Sequence, residues 1–181
     1  MINGLTIVKD FITKDQELEL LEKMKDLEWN GTLLRKSRHY GYNYNYKTKN
    51  ITYEDYLGNL PSWLDPYILK IFKFGYIYEY PDQVTINRYL PGEGIAAHID
   101  VPRIFKEKLY SISLGSGCNI VFEKDDEYHS YYIPPRTFML MEDSARYLYK
   151  HGIRRFKSDM VLDKEVERDI RYSITFRNVI L

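Results

Sequence analysis

His98-Ile99-Asp100 and a later His151 put two imidazoles and one carboxylate into a chain of 181 residues. That is a metal-ligand set. Two residues at i and i+2 on a strand project from one face, so His98 and Asp100 are expected to converge on one ion, with His151 arriving from elsewhere in the fold. Three ligands on one side leave coordination positions open, the arrangement of oxygen-activating ferrous sites. Spacing alone does not assign the role of His151, 51 residues beyond Asp100. The turn Pro91-Gly92-Glu93-Gly94 sets the pair at the start of a strand-rich region. His39 and His129 have no comparable carboxylate neighbour and are expected at the surface.

A second constellation lies near the C-terminus. From Ile170 to Arg177, Ile170, Tyr172, Ile174 and Phe176 alternate with Arg171, Ser173, Thr175 and Arg177. The second set is a polar row inside a strand. Inward arginines need partners, because an uncompensated interior charge costs several kcal/mol. A dicarboxylate matches the guanidinium fork, and the alternative is that one arginine faces solvent or pairs with a protein Asp or Glu. Val84 to Leu90 places Asn87 and Tyr89 on one face, within reach of the same acid, although an N-x-Y pair alone is usually structural.

The elements that must position these groups follow from periodicity. Thr13-Lys14-Asp15-Gln16 has the form of a helix start, and Leu18, Leu21, Met24 and Leu27 recur at helical spacing. A second helix is expected after Pro61, with Leu64, Tyr67, Ile68 and Ile71 as its apolar stripe. From Val84 onward, short runs rich in Val, Ile, Tyr and Phe are broken by Pro91-Gly92, Gly115-Ser116-Gly117 and Pro134-Pro135. These predict antiparallel strands in a double-sheet barrel or sandwich, with helices first and a β-core after them. Arg146 to Tyr149 reads as a strand, and the charged stretch from Lys157 to Asp169 as an exposed loop.

A chain of this length fits one domain, residues 1–181, with helices and a recognition segment over about 1–80 and a catalytic β-core over about 81–181. With 44% hydrophobic and 29% charged residues, a packed globule is expected rather than a disordered chain. The 26 basic and 26 acidic side chains cancel, so affinity for a polyanion must come from uneven placement of charge. Cys118 is the single cysteine, which excludes an intramolecular disulfide and a cysteine zinc cage and suits a reducing compartment. It is expected to be a buried hydrophobe. No secretory signal and no membrane-length apolar run is visible, so the expectation is an intracellular protein, cytoplasmic or nuclear, without membrane contact.

Taken in order, Asn87-Arg88-Tyr89, Pro91-Gly92-Glu93-Gly94-Ile95, His98-Ile99-Asp100, Ser111-Ile112-Ser113-Leu114-Gly115, His151-Gly152-Ile153 and Arg171 through Arg177 resemble the AlkB-like family of Fe(II)/2-oxoglutarate dioxygenases. The resemblance covers about Asp82 to Val179, and Gly4 through Trp29 is similar to the family's leading helix. It implies an α+β fold with a double-stranded β-helix (jelly-roll) core and N-terminal helices packed on one face. It implies iron on His98, Asp100 and His151, 2-oxoglutarate on Asn87, Tyr89, Ser111, Arg171 and Ser173, Arg177 at the metal-proximal end, and O₂ as co-substrate. Ser173 departs from the Asn usual in bacterial repair members. Arg35 to Tyr42 is similar to the nucleotide-recognition region of eukaryotic relatives, including the branch that hydroxylates wobble uridine in tRNA.

Trp29 to Tyr53 holds no acidic residue, and basic side chains interleaved with aromatics suit phosphates and bases. Arg35, Arg38, Tyr40 and Tyr42 are the expected substrate contacts; a tyrosine-rich strand packed on the core is the alternative. The activity implied is oxidative demethylation of alkylated bases in DNA or RNA. Hydroxylation of a tRNA wobble uridine is the second reading and protein hydroxylation or demethylation the third. The expected state is a monomer, with a separate RNA-binding or methyltransferase partner supplying specificity.

Overall fold

The computed structural model describes residues 1–30 and 35–181. Leu5–Val8 forms strand β1, and helix α1 (Lys14–Lys25) follows. Thr13 caps that helix: its hydroxyl accepts from the Gln16 N–H at 3.2 Å, and the Gln16 side chain accepts from the Thr13 N–H at 3.0 Å. The buried face of α1 is Glu17, Leu20 and Met24, whereas Leu18 is 61% exposed. This rotates the expected stripe. Glu17 turns inward because its carboxylate accepts the Gly115 N–H at 2.9 Å and pairs with Arg136 at 3.1 Å.

Strand β2 (Lys36–Tyr40) precedes helix α2 (Asp65–Lys73), which buries Tyr67, Ile68 and Ile71 below Leu64, the stripe expected from spacing. Pro66 in its first turn lacks an N–H where none is needed. Next come β3 (Gln83–Tyr89), β4 (Ile95–His98), β5 (Leu109–Gly115), β6 (Cys118–Lys124), β7 (Glu127–Ile133) and β8 (Phe138–Met141). A short helix α3 (Asp143–Tyr147) leads into β9 (Lys150–Ile153), β10 (Ser158–Val161), β11 (Lys164–Glu167) and β12 (Arg171–Arg177).

The strands form a six-stranded sheet in the order β1-β8-β5-β12-β3-β2 and a four-stranded sheet in the order β4-β9-β6-β7. All pairs are antiparallel. On the large sheet, Val84, Ile86, Ile112, Ile174 and Phe176 pack with Leu20, Met24, Ile68 and Ile71 of the two long helices. Its opposite face contributes Tyr89, Leu109, Met139 and Met141 to a second core shared with Ile120, Phe122 and Ile153 of the small sheet. A mostly β protein results, with two sheets facing each other and helices behind the larger one, consistent with a jelly-roll fold. Cys118 lies in the second core, as expected. Among the described residues no helix is long and apolar enough to cross a membrane.

Four further expectations are corrected. The β-structure does not wait for residue 84, because β1 and β2 occupy the two edges of the large sheet. Residues 146 and 147 belong to α3 instead of a strand, because Arg146 turns inward to bond backbone carbonyls described below. Lys157 to Asp169 is not a loop but contains the hairpin β10–β11. Its two-residue turn is Leu162-Asp163, both at positive φ, the mirror-image geometry that matches strand twist but that the sequence does not advertise with Asn-Gly. Arg168 and Asp159, 6% and 2% exposed, anchor it through two bonds of 2.5 and 2.7 Å.

The fourth correction is His39, which is buried at 6% exposure on β2. Its ring nitrogens meet Thr85 Oγ1 at 3.2 Å, Gln83 Nε2 at 3.4 Å and the Tyr46 hydroxyl at 3.3 Å. Burial first, then Arg177, Arg35 and Arg38, push its pKa down to about 4. The unfolded chain takes up this proton near pH 6.5, the folded chain only near pH 4, so folding loses about 3 kcal/mol as pH falls through that window. Above pH 6.5 the penalty is absent. Denaturant titrations between pH 7 and 4.5 are expected to show a shallower loss of stability in His39→Gln than in the wild type. Parallel curves would mean that His39 titrates normally in the fold.

Candidate metal and co-substrate site

His98 closes β4 and sits opposite His151 on β9, with their ring centroids 4.5 Å apart. Gly152 permits the approach: a Cβ there would lie 2.8 Å from the Ala97 nitrogen. Asp100 lies two residues past His98, beyond the end of β4, so the pair does not share one strand as the spacing suggests. It still converges, with Asp100 Oδ1 3.8 Å from His98 Nε2. Ligand atoms of His98, Asp100 and His151 all lie within 4.8 Å of one another. The carbonyl of Ala96, 2.9 Å from His98 Nδ1, accepts its N–H and leaves Nε2 with a lone pair for an ion.

The electrostatics favour the ligand forms. Burial and the neighbouring His98 push His151 down to about 3, so its ring is neutral at pH 7. Burial pushes the Asp100 carboxyl up, but Arg177, His151, His98 and Arg146 outweigh it and hold Asp100 below the usual carboxylate range. A neutral His151 imidazole beside an ionised Asp100 carboxylate is the pair of protonation states a divalent cation requires.

Strand β12 supplies the rest through its period of two. Arg177 reaches Asp100 Oδ2 with Nη2 at 3.4 Å, while its Nη1 donates to Gln83 Oε1 and Thr85 Oγ1, each at 3.1 Å. Six residues earlier, Arg171 is 4% exposed and donates one bond, to Ser113 Oγ at 2.8 Å, with its guanidinium 5.5 Å from the Tyr89 ring centre. Arg171 Nε and Nη1 have no partner; among the described residues it is the one arginine with two such buried nitrogens. A buried cation with two orphaned donors fits a carboxylate ligand. Register places Tyr89 opposite Arg171 and Asn87 opposite Ser173, in one inward row. One cavity is lined by Asn87, Tyr89, His98, Asp100, Ser111, His151, Arg171, Ser173 and Arg177, every metal and co-substrate residue expected from sequence.

Nothing in the local sequence marks Arg146. It is 2% exposed, and its guanidinium donates to the backbone carbonyls of Asp100 at 2.6 Å, Phe105 at 3.1 Å and Lys106 at 3.5 Å. It thereby fixes the segment that carries Asp100. Arg146→Met strands those carbonyls and is expected to cost about 2–4 kcal/mol of stability. Iron affinity should fall roughly 10–100-fold, as when an outer partner of a ligand is lost. Thermal unfolding and chelator competition measure the two separately; weakened stability with unchanged iron affinity would confine Arg146 to scaffolding.

A second cavity of about 550 Å³ opens on the same centre, sharing His98, Asp100 and Arg177 and adding Arg35, Tyr44, Tyr46, Lys49 and Arg155. Of the four expected substrate contacts, Arg35 lines it, and its Nε donates to Asn87 Oδ1 at 3.2 Å. Arg38 and Tyr40 face the other way, because β2 alternates and only Ser37 and His39 share its inward face. Arg38 lies over the Tyr40 ring, and Tyr40 packs edge-on against Trp63. Beyond Gly41, whose φ of 73° and approach to the Asp82 carbonyl exclude a side chain, Tyr42 packs on Tyr56. Tyr44 and Tyr46, two and four residues further on, are the tyrosines at the cavity, beside Phe105.

A family model described as 2OG-Fe(II) oxygenase superfamily matches residues 4–177. The chain is 37% identical to an uncharacterized protein, L905, of Acanthamoeba polyphaga mimivirus, covering 99% of this chain and 86% of that protein. It is 33% identical to the Arabidopsis thaliana alkylated DNA repair protein ALKBH8 homolog and to the mouse tRNA (carboxymethyluridine(34)-5-O)-methyltransferase ALKBH8. Those matches cover 98% and 97% of this chain but only 59% and 30% of the relatives' lengths. The solved structure of OsALKBH1 superposes with a TM-score of 0.70 at 16% identity, over 98% of both chains, a likeness of fold.

Proposed function

Because this chain belongs to the 2OG-Fe(II) oxygenase superfamily, with AlkB-like relatives, we propose that it oxidatively demethylates alkylated bases in nucleic acid. It is an oxidoreductase whose cofactors are Fe(II), 2-oxoglutarate and O₂. The observation that carries the reading is the cluster of His98, Asp100 and His151 beside the incompletely paired Arg171. In this reading residues 1–181 act as one domain and as a monomer, and the two facing sheets are a double-stranded β-helix. His98, Asp100 and His151 hold the iron. Arg171 takes one carboxylate of 2-oxoglutarate, Asn87, Tyr89, Ser111 and Ser173 line its course, and Arg177 stands at the metal-proximal end.

When bound, iron and 2-oxoglutarate supply oxidation of a substrate C–H bond by O₂, coupled to decarboxylation of the diacid to succinate. The protein's own work is positional. Arg177 keeps Asp100 ionised and aimed, Ala96 fixes the His98 tautomer, and the cavity walls hold water away from the reacting C–H bond. Tyr44 and Tyr46 offer ring faces to a base entering the outer cavity, and Arg35 and Arg155 offer cations to its phosphates. Hydroxylation of an N-methyl carbon gives a hemiaminal that releases formaldehyde, whereas hydroxylation of a carbon side chain leaves a stable alcohol.

One observation favours the second outcome, hydroxylation of a tRNA uridine side chain. The outer cavity is lined by Arg35, Lys49, Arg155 and Arg177, and its one carboxylate, Asp100, already faces Arg177. Such a surface disfavours an alkylated base that carries positive charge and tolerates a neutral or acidic one. The rest of a longer chain, or an RNA-binding or methyltransferase partner, would then supply tRNA selection. Mass spectrometry of tRNA and of methylated oligonucleotides, treated with enzyme, iron and 2-oxoglutarate, separates the outcomes. Loss of a methylene supports demethylation and gain of one oxygen supports hydroxylation. Succinate formation that no polynucleotide stimulates would count against both.

A further inference from the structure

We propose that the groove between the outer face of the four-stranded sheet and the β10–β11 hairpin is a second polynucleotide site, which takes the single strand flanking the base delivered to the reaction centre. The inference rests on the nucleic-acid reading above and gives the flanking backbone a place. The groove encloses about 500 Å³. Its floor includes Asn119, Val121, Tyr128 and Ser130 of β6 and β7, and the hairpin is tied over it by a bond of 3.4 Å from Asn119 Nδ2 to the Met160 carbonyl. Arg154-Arg155-Phe156-Lys157, four successive exposed residues, runs along one wall. Arg155 lines both this groove and the outer cavity, so the two spaces meet at one side chain.

The backbone of this segment is fixed while its side chains face solvent. Arg168 donates from Nη1 to the Arg154 carbonyl and from its backbone N–H to the Lys157 carbonyl, each at 2.8 Å, and the Gly92 N–H donates to the Phe156 carbonyl at 3.1 Å. Arg168 itself is neutralised by buried Asp159. Three further cations, Arg154, Arg155 and Lys157, stand against two carboxylates, Glu165, which accepts from Ser158, and Glu123, 3.5 Å from Arg154, so Arg155 and Lys157 are the two without a carboxylate partner among the described residues. In a chain of zero formal net charge the groove and its rim thus carry a small positive surplus, placed at Arg155 and Lys157. Two aromatic faces accompany it: Tyr128 and Phe156 are each 52% exposed, and the Arg154 guanidinium lies 5.1 Å from the Tyr128 ring centre. Cations for phosphates beside the exposed Phe156 ring, with one face of Tyr128 already under Arg154, are what a single strand with stacked bases requires. An acidic peptide would use the cations but leave the rings idle.

Fluorescence anisotropy with labelled oligouridylate and oligothymidylate, long enough to pass from the outer cavity into the groove, tests this against the corresponding trinucleotides. Phe156→Ala and the double variant Arg154→Ala/Lys157→Ala are each expected to weaken long-strand binding about ten-fold. The double variant should also lower the slope of log affinity against log salt by about 1.4, from two lost phosphate contacts. Trinucleotide binding, succinate formation and melting temperature should stay at wild-type values. Variants that bind the long strands like wild type, with the same salt slope, would overturn the groove assignment. So would polyglutamate competing as well as oligouridylate, which would make the groove an acidic-peptide site. Wild-type protein that binds no polynucleotide would sink the nucleic-acid reading itself, a result distinct from failure of the groove alone.

Discussion

Asp100→Ala is expected to abolish iron binding and 2-oxoglutarate turnover together. Asp100 is the one anion among the three candidate ligands, and without it two imidazoles face the Arg177 cation. The loss should exceed the roughly 10–100-fold typical of an outer-sphere change, because a direct ligand is removed. The fold should survive, since Arg146 grips the backbone carbonyl of residue 100 and not its side chain. Iron content after reconstitution, succinate formation and thermal unfolding are the three readouts. Retained turnover with a normal iron complement would show that the carboxylate ligand lies elsewhere.

Arg171→Met separates co-substrate binding from metal binding. Removing a guanidinium that serves a carboxylate end costs about 3 kcal/mol, so KM for 2-oxoglutarate should rise roughly 100-fold while iron affinity holds. Stability without co-substrate should not fall and is expected to rise slightly, because a buried cation with two unpartnered nitrogens is replaced by an apolar chain of similar length. Added 2-oxoglutarate should raise the melting temperature of the wild type and leave the variant unmoved at the same concentration. An unchanged KM would assign the co-substrate carboxylate to another residue.

The inward position of Arg171 is legible in the sequence because strand periodicity carries over long runs, whereas Asp100, past the end of β4, is brought to His98 by the chain beyond the strand. The alternation from Arg171 to Arg177 and from Asn87 to Tyr89 fixes which side chains share a face, and register then sets the two rows side by side. Helix α2 is equally plain, since its buried residues repeat at helical spacing and the Tyr67 hydroxyl, which donates to the Gln16 carbonyl, keeps that phase. Helix α1 shows the limit: a single inward Glu17, satisfied by Gly115 and Arg136, rotates the buried face away from Leu18. Long-range partners of this kind leave no local trace. Arg146 bonds to carbonyls about forty or more positions away, and His39 is buried by Thr85 and Gln83. The hairpin at 158–167 escapes a sequence reading because its turn is Leu-Asp and its strands are largely exposed, so neither turn chemistry nor apolar alternation marks it. The outer cavity is half legible: the basic, aromatic segment from residue 35 does border the His98–Asp100–His151 cluster, but alternation along β2 sends Arg38 and Tyr40 to the opposite side and leaves Arg35, Tyr44 and Tyr46 lining the cavity.

The most direct test is a crystal structure with Mn(II), as an oxygen-stable substitute for Fe(II), and 2-oxoglutarate. The expected result is one metal ion bonded to His98 Nε2, Asp100 and His151, with a carboxylate of the diacid paired to Arg171 Nε and Nη1. A metal ion held by other residues, or a diacid bound away from Arg171, would contradict it.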